Sequence, residues 1–345
     1  NTANFNFRAT MQQIKNLKTR IWIYLSILGV IWGGCDSLIY DNLSDCPQGV
    51  YVKFYSMTPC DTDSTFIGNV PTLSVFAFDE SDKLVVMHKE ENASLTQDFE
   101  VLMPVSNGNY HFVAWAGVDD NFTVESFTPG STTKQDVMMT LKMNDSKAAQ
   151  LGDHKVWQGE SRTVHLPNPA ISGAQFRHTA VNLRELTNRI NITVKFDREQ
   201  IEDESTEDLE IELKSANGTL HIDGRTNRKV GVMEYPARDI VLDTDSVSWS
   251  FTTLDLITGL HNNLKLSLGL DDEGNEKVVF SNDLIASILL RANDEGGISL
   301  DCENDFDVKF TIKDYCKDCP TYFSCYISIK EWGMHSYEIE VGGDF

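Results

Sequence analysis

Arginine is missing from a long stretch of this sequence. From Asp36 to Ser161 there is none, although lysines continue throughout. An arginine-specific protease therefore finds no site there. Basic residues are scarce overall, 29 against 52 acids, for a formal net charge of -23. So acidic a chain repels phosphate backbones and anionic lipid, which excludes nucleic acid as a partner and electrostatic adsorption as a means of membrane attachment. The common catalytic signatures are also lacking: there is no G-x-S-x-G, no Walker loop, no G-x-G-x-x-G and no HExxH. Eight histidines are scattered, with none at i, i+4 spacing. The acidic clusters at 79–82, 119–120 and 271–273 lack EF-hand spacing and read as solvated turns. No pair of carboxylates stands out for glycoside hydrolysis. The expectation is a protein that is not an enzyme and holds neither metal nor cofactor.

Long apolar runs are lacking too. The longest runs from Ile21 to Trp32, twelve residues, and such a helix rises only about 18 Å against a hydrocarbon core of about 30 Å. Lys15, Lys18 and Arg20 precede it and Gly33-Gly34-Cys35 follows, the layout of a removable secretory signal ending on a cysteine. The residues before Met11 read as an upstream extension. Cys35 as first mature residue is what lipoprotein processing requires, so a covalent lipid is expected there. Trp32 departs from the Leu usual three residues before such a cysteine.

Parity supports this reading, because the chain has seven cysteines and removing Cys35 leaves an even set for an oxidising compartment. The disulfide candidates are Cys46, Cys60, Cys302, Cys316, Cys319 and Cys325, expected to form three bridges. Cys46 and Cys60 flank one strand and can pair with each other or elsewhere; the connectivity stays open. Cys316 and Cys319 make the sole C-x-x-C, where a zinc ribbon has two, so no zinc is expected.

What the chain does have is short β-branched and aromatic runs at roughly ten-residue spacing, punctuated by turn residues, as in an antiparallel sandwich. Val50 to Tyr55, Thr72 to Phe78 with a return at Leu84 to Met87, Phe99 to Met103, and Tyr110 to Ala116 read as strands. So do Arg189 to Phe196, Leu209 to Leu213, Leu264 to Leu270, Asp305 to Lys313 and Phe323 to Trp332. Short helices are expected at Asp145 to Leu151 and after Ser281-Asn282-Asp283. Pro, Ser and Gly near Ile171 to Ala174 suggest a boundary. The expected division is a signal over 1–34, one β-sandwich domain over 35–175 and a second over 176–345. Trp115, Trp157 and Trp249 lie within alternating patterns and are expected in the core.

Several segments together resemble the FimB-type fimbrial anchor family of Bacteroidales, which sits at the base of type V pili. They are CDSLIYDNLSDCPQGVYVKF at 35–54, NYHFVAWAG at 109–117, KVWQGE at 155–160, VNLRELTNRINITVKF at 181–196 and YISIKEW at 326–332. The resemblance implies an all-β fold of two tandem sandwiches of transthyretin-like topology, with no enzymatic role. It implies an outer-membrane lipoprotein, lipidated at Cys35, that holds the fibre at the cell surface and limits its length. The implied partners are fimbrial shaft or accessory pilin subunits, joined by β-strand addition.

Within that resemblance the arginine gap acquires a meaning. Shaft subunits of this class lose an N-terminal strand to an arginine-specific protease, and a chain without arginine there keeps its own. By this reading, an arginine inserted at Asp61 to Ser64 would let a protease remove the Val50 strand and the lipid together. Ser336 to Val341 alternates as a donated or an edge strand does. The rival reading is a surface glycan-binding lipoprotein of a polysaccharide-uptake system, which would present Trp or Tyr on one face.

Overall fold

The structure is a computed structural model that describes residues 47–136, 138–284, 299–316, 321–329 and 332–335. Cys35, Cys46, Cys319 and the 336–341 segment lie outside the described residues. The described chain is almost wholly β. Strands of the first half are β1 (Gly49–Tyr55), β2 (Gly68–Asp79), β3 (Leu84–Leu95), β4 (Glu100–Pro104), β5 (Gly108–Ala116), β6 (Phe122–Val124), β7 (Met138–Leu141), β8 (Met143–Asn144), β9 (Lys147–Ala148), β10 (Trp157–Glu160), β11 (Val164–Leu166), β12 (Phe176–Asn182) and β13 (Arg184–Glu185). The second half adds β14 (Thr187–Phe196), β15 (Leu209–Ser215), β16 (Thr219–His221), β17 (Met233–Tyr235), β18 (Asp239–Leu242), β19 (Ser246–Leu254), β20 (Asn263–Leu270), β21 (Glu276–Asp283), β22 (Asp305–Tyr315), β23 (Phe323–Ile329) and β24 (Trp332–His335). One short helix, α1 (Pro169–Ser172), is capped by Asn168, whose side chain accepts from the Ala170 amide.

Alternation decides the position of β1. Val50, Val52 and Phe54 are buried, and Lys53 faces solvent. The strand lies in the middle of the sheet β12-β1-β4. It runs parallel to β12 from Gly49 opposite Phe176 to Tyr55 opposite Asn182, and antiparallel to β4. Its inward side chains share one core with Leu73, Val75, Phe112 and Ala114 of the facing sheet β13-β10-β5-β2-β3. The other faces of β2 and β5 are buried as well: Phe76, Phe78, Val113 and Trp115 join a second core that continues into the C-terminal half. Burial on both faces is why Phe112 to Ala116 is a continuous apolar run.

In the second half the strands alternate cleanly. Ile190, Ile192, Val194 and Phe196 of β14 and Phe306, Val308, Phe310 and Ile312 of β22 point inward. They belong to the sheet β18-β19-β14-β22-β23-β24. Their core is shared with Leu213, Leu264, Leu266 and Phe280 of the sheet β21-β20-β15-β17-β9-β8. Strand β14 pairs in parallel with β22, as β1 does with β12, so each half closes by joining its first strand to a late one.

The halves interlock. β12 and β13, which follow the expected boundary at 175, pair with strands of the first half. β7 pairs with β16, and β9 with β17, although both precede that boundary. Trp115 Nε1 donates to the Ile222 carbonyl at 2.8 Å in the buried zone between them.

Two sequence expectations are corrected. Residues 145–151 form no helix: Asp145 and Ser146 take positive φ values and turn the tight hairpin β8–β9, the geometry of a two-residue loop. Ser281-Asn282-Asp283 likewise belong to β21, paired with Lys265, Leu264 and Asn263. Leu284 still reaches the Asn262 carbonyl at 2.8 Å, and helical backbone begins only there. The rest of that expected helix lies outside the described residues.

Two glycines within the family-like segments have steric causes. A Cβ at Gly117, where φ is 84°, would meet the Lys155 carbonyl oxygen, and one at Gly159 would meet that of Asn182, both at 2.1 Å. Close backbone approach therefore requires glycine at both.

If β1 is integral, Phe54→Ala should lower the unfolding free energy by about 3 to 5 kcal/mol. Equilibrium urea unfolding with an unchanged m-value would register this, and a loss below about 1 kcal/mol would show that β1 is only loosely docked.

Candidate functional site

The loop after β1 is built to hold that strand's end. Ser56 and Thr65 exchange backbone hydrogen bonds of 2.9 and 2.8 Å, closing residues 57–64 into an exposed loop. Asn182 of β12 clamps the loop from the side: its amide oxygen accepts from Met57 N at 2.9 Å and its amide nitrogen donates to Met57 O at 2.8 Å. Within the loop, Asp61 accepts from the Thr58 amide at 2.7 Å, which holds its carboxyl below the usual range.

Cys60 stands in this loop and forms a disulfide with Cys302, across 242 residues and with Cα atoms 5.8 Å apart. Closing so long a loop limits the unfolded chain by on the order of 5 kcal/mol in the chain-entropy account. Cys302 lies just before β22, and the residues that follow it are fastened to the start of β14. Asn304 Nδ2 donates to the Thr187 carbonyl at 3.0 Å, and Arg189 N donates to the Asn304 carbonyl at 2.7 Å. Arg189 then grips Asp305 with two donors, Nε at 2.5 Å and Nη2 at 2.8 Å, while its remaining arm meets Glu185. Hydrogen bonds from Arg189 hold the Asp305 carboxyl below the usual range.

The other cysteines divide. Cys316 is disulfide-bonded. Cys325 is a buried thiol that donates to the Val279 carbonyl at 4.0 Å. The expectation of disulfides at all six positions is thus corrected at Cys325, which faces the core from β23.

One sheet edge is conspicuous. β18 is the outermost strand of its sheet, and all of its residues are exposed, with Ile240 and Val241 at 61% and Leu242 at 59%. Ile240 and Leu242 sit opposite Trp249 and Val247, so they lie on the core-facing side, yet nothing among the described residues covers them. An exposed apolar edge is a template for a further strand. The sequence reading missed this edge, because a four-residue strand between acids looks like part of a loop.

Surfaces suited to sugars are poorer. A groove of about 600 Å³ beside β2 is floored by Phe76, Phe127 and Met139 and rimmed by Glu91, Asp119, Asp120 and Glu125, with no Trp or Tyr. Trp115 and Trp249 are core, as expected, and Trp157 is half-buried beneath the Lys155 ammonium. Tyr315 and Tyr322 are exposed neighbours, but their rings meet at 79°, edge to face, and offer no common stacking plane. Among the described residues there is no group of three His, Cys, Asp or Glu placed to hold a metal ion, and no helix long and apolar enough to cross a membrane.

A strand clamped by its loop, a covalent bridge between the halves and an open edge are structural devices, and comparison with known proteins agrees. Residues 43–338 match the family model described as fimbrillin-A associated anchor proteins Mfa1 and Mfa2. The chain belongs to this family. It is 35% identical over 328 residues to the minor fimbrium anchoring subunit Mfa2 of Porphyromonas gingivalis, covering 93% of this chain and 97% of that one. The solved structure of the P. gingivalis fimbrial anchor protein Mfa2 matches at a TM-score of 0.73 and 33% identity, over 85% of this chain and all of that one. A Bacteroides thetaiotaomicron structure described as polysaccharide binding matches at 0.67, over 83% and 97% of the chains, but at 20% identity the likeness speaks to the fold alone.

The Arg189–Asp305 fork carries a pH signature. A carboxyl with a lowered folded-state pKa stabilises the fold above its ordinary titration range and loses that contribution as pH falls through the folded value. Asp305→Asn should therefore lower Tm at pH 7, with the gap to the parent closing as pH falls through the carboxylate range. A gap unchanged between pH 7 and pH 3 would remove the ion pair from this role.

Proposed function

We propose that this chain is the lipid-anchored base subunit of a fimbrium, which holds and terminates the fibre at the outer membrane. The observation that carries the reading is the resident first strand, central in its sheet and followed by an exposed loop without arginine, in a chain of the fimbrial anchor family. A subunit that keeps its own strand opens no groove on that side. It ends the fibre.

Attachment rests on acyl chains at Cys35, since the acidic surface does not favour anionic lipid. The next fimbrial subunit adds a strand at the β18 edge. Main-chain hydrogen bonds supply strength and the uncovered Ile240 and Leu242 supply apolar contact. A second copy of this chain is a poor occupant because two such strongly acidic bodies repel each other. A groove of about 500 Å³ between residues 65–71 and 153–157 offers the glycan-binding rival a single Trp, Trp157, with no second Trp or Tyr beside it to make a stacking platform.

Cys35→Ala should move the protein from the outer-membrane fraction to the soluble fraction. Persistence in the membrane would refute the lipoprotein assignment. The double substitution Ile240→Lys and Leu242→Lys, at exposed positions, should change stability by only about 0.5 kcal/mol. It should cut recovery of fimbrial subunits in a pull-down from outer membrane more than tenfold. Undiminished recovery would place the joint elsewhere.

A further inference from the structure

The Cys60–Cys302 bridge has a topological consequence. Cys60 lies after β1 and Cys302 lies just before β22, so every peptide bond from Asp61 to Asp301 lies inside a covalently closed ring. We propose that this disulfide is a retention latch that keeps the first strand, and whatever is attached upstream of it, joined to the C-terminal half even when the backbone between them is cut. This corrects the expectation that cleavage at Asp61 to Ser64 sheds the Val50 strand and the lipid together. Such a cut leaves Cys60 on the N-terminal fragment and Cys302 on the body, and the fragment stays bound.

Of the chain that the latch leaves unguarded, Lys53 is held within β1 between two strands, and the stretch from there to Cys60 is protected in another way. From Phe54 to Asp82 there is neither lysine nor arginine, so proteases specific for basic residues find nothing to cut on either side of Cys60. Between β1 and Cys60 the chain is also held by the Asn182 clamp.

The latch also defends the place of β1 against a competing strand. After a cut, an untethered β1 would be lost to dilution. Held through Cys60, a few residues from its own end, it rebinds intramolecularly at an effective concentration on the order of millimolar, about a thousandfold above a free strand supplied at micromolar concentration. Cys60 is exposed, so reductant can reach the bond, whereas an oxidising compartment preserves it. The device therefore responds to thiol reductants and not to proteolysis.

The test places a recognition sequence for a serine protease between Asp61 and Ser64 of the full chain, in the parent and in a Cys60→Ser, Cys302→Ser version. The cleaved parent should run as one species without reductant and as two with it. A fluorescent peptide with the sequence Gly49 to Tyr55 should enter the cleaved parent at least a hundredfold more slowly than the cleaved double-serine version. If that version does not fold, the cleaved parent treated with reductant takes its place in the exchange measurement. Separation of the fragments without reductant, or equal peptide entry with and without the bridge, would overturn the proposal. These readouts do not involve the lipid or a fimbrial partner, so they can fail while the anchoring role stands. Conversely, loss of the anchoring role would leave the latch untouched.

Discussion

The rest of the molecule depends on the burial of one strand between two others. Val50, Val52 and Phe54 are each within 2% of full burial. At about 1.5 to 3 kcal/mol for each such side chain, β1 contributes roughly 5 to 9 kcal/mol of apolar stabilisation. That is comparable to the whole net stability of an ordinary domain. Its loss would also leave β4 and β12 with two unpaired edges above an open apolar floor. A sheet closed by its first strand is therefore both stable and vulnerable at the same place. The devices around β1 follow from that vulnerability: the Ser56–Thr65 closure, the Asn182 clamp, the absence of lysine and arginine from the loop that follows and the bridge to Cys302.

Interlocking spreads this dependence across the chain. β2 and β5 present one face to the core beneath β1 and the other to the core shared with the second half. Displacing β1 would thus disturb a sheet whose reverse side supports Phe122, Met139 and the Ile222 region. The hairpin β8–β9, added to a sheet of the second half, ties the link in the opposite direction. Neither half has a surface along which the other could detach without unpairing strands.

The all-β architecture was readable from the sequence where one face of a strand is buried and the other solvated, because burial then writes itself as alternation. Arg189 to Phe196 and Asp305 to Lys313 show this, and their boundaries agree with β14 and β22 within a few residues. Where both faces are buried, as in β5, the signal was a bare apolar run. The parallel pairing of β1 with β12 was not readable, since nothing local records a contact across more than a hundred residues. The Cys60–Cys302 pairing was hidden for the same reason. The β8–β9 hairpin was misread because Lys147, Ala148 and Ala149 favour helix, while its turn is set by Asp145 and Ser146 in the left-handed region. The β18 edge failed differently: its meaning lies in what does not cover Ile240 and Leu242, and a sequence does not state absences of that kind.

Load on an anchor makes the position of the bridge intelligible. If the chain is held to the membrane upstream of β1 and pulled from the β18 edge, tension enters at one end of the first half and leaves from the second. Without a cross-link it would pass from β1 through its ladders to β4 and β12 and on through the strands of the first half. With Cys60 joined to Cys302, tension passes from the end of β1 directly to the turn that Arg189 and Asn304 hold against β14. From β14 it crosses the ladder to β19 and reaches β18. The strands between β2 and β13 then carry little of the load, and the covalent chain spares the part of the fold whose loss would expose the seat of β1.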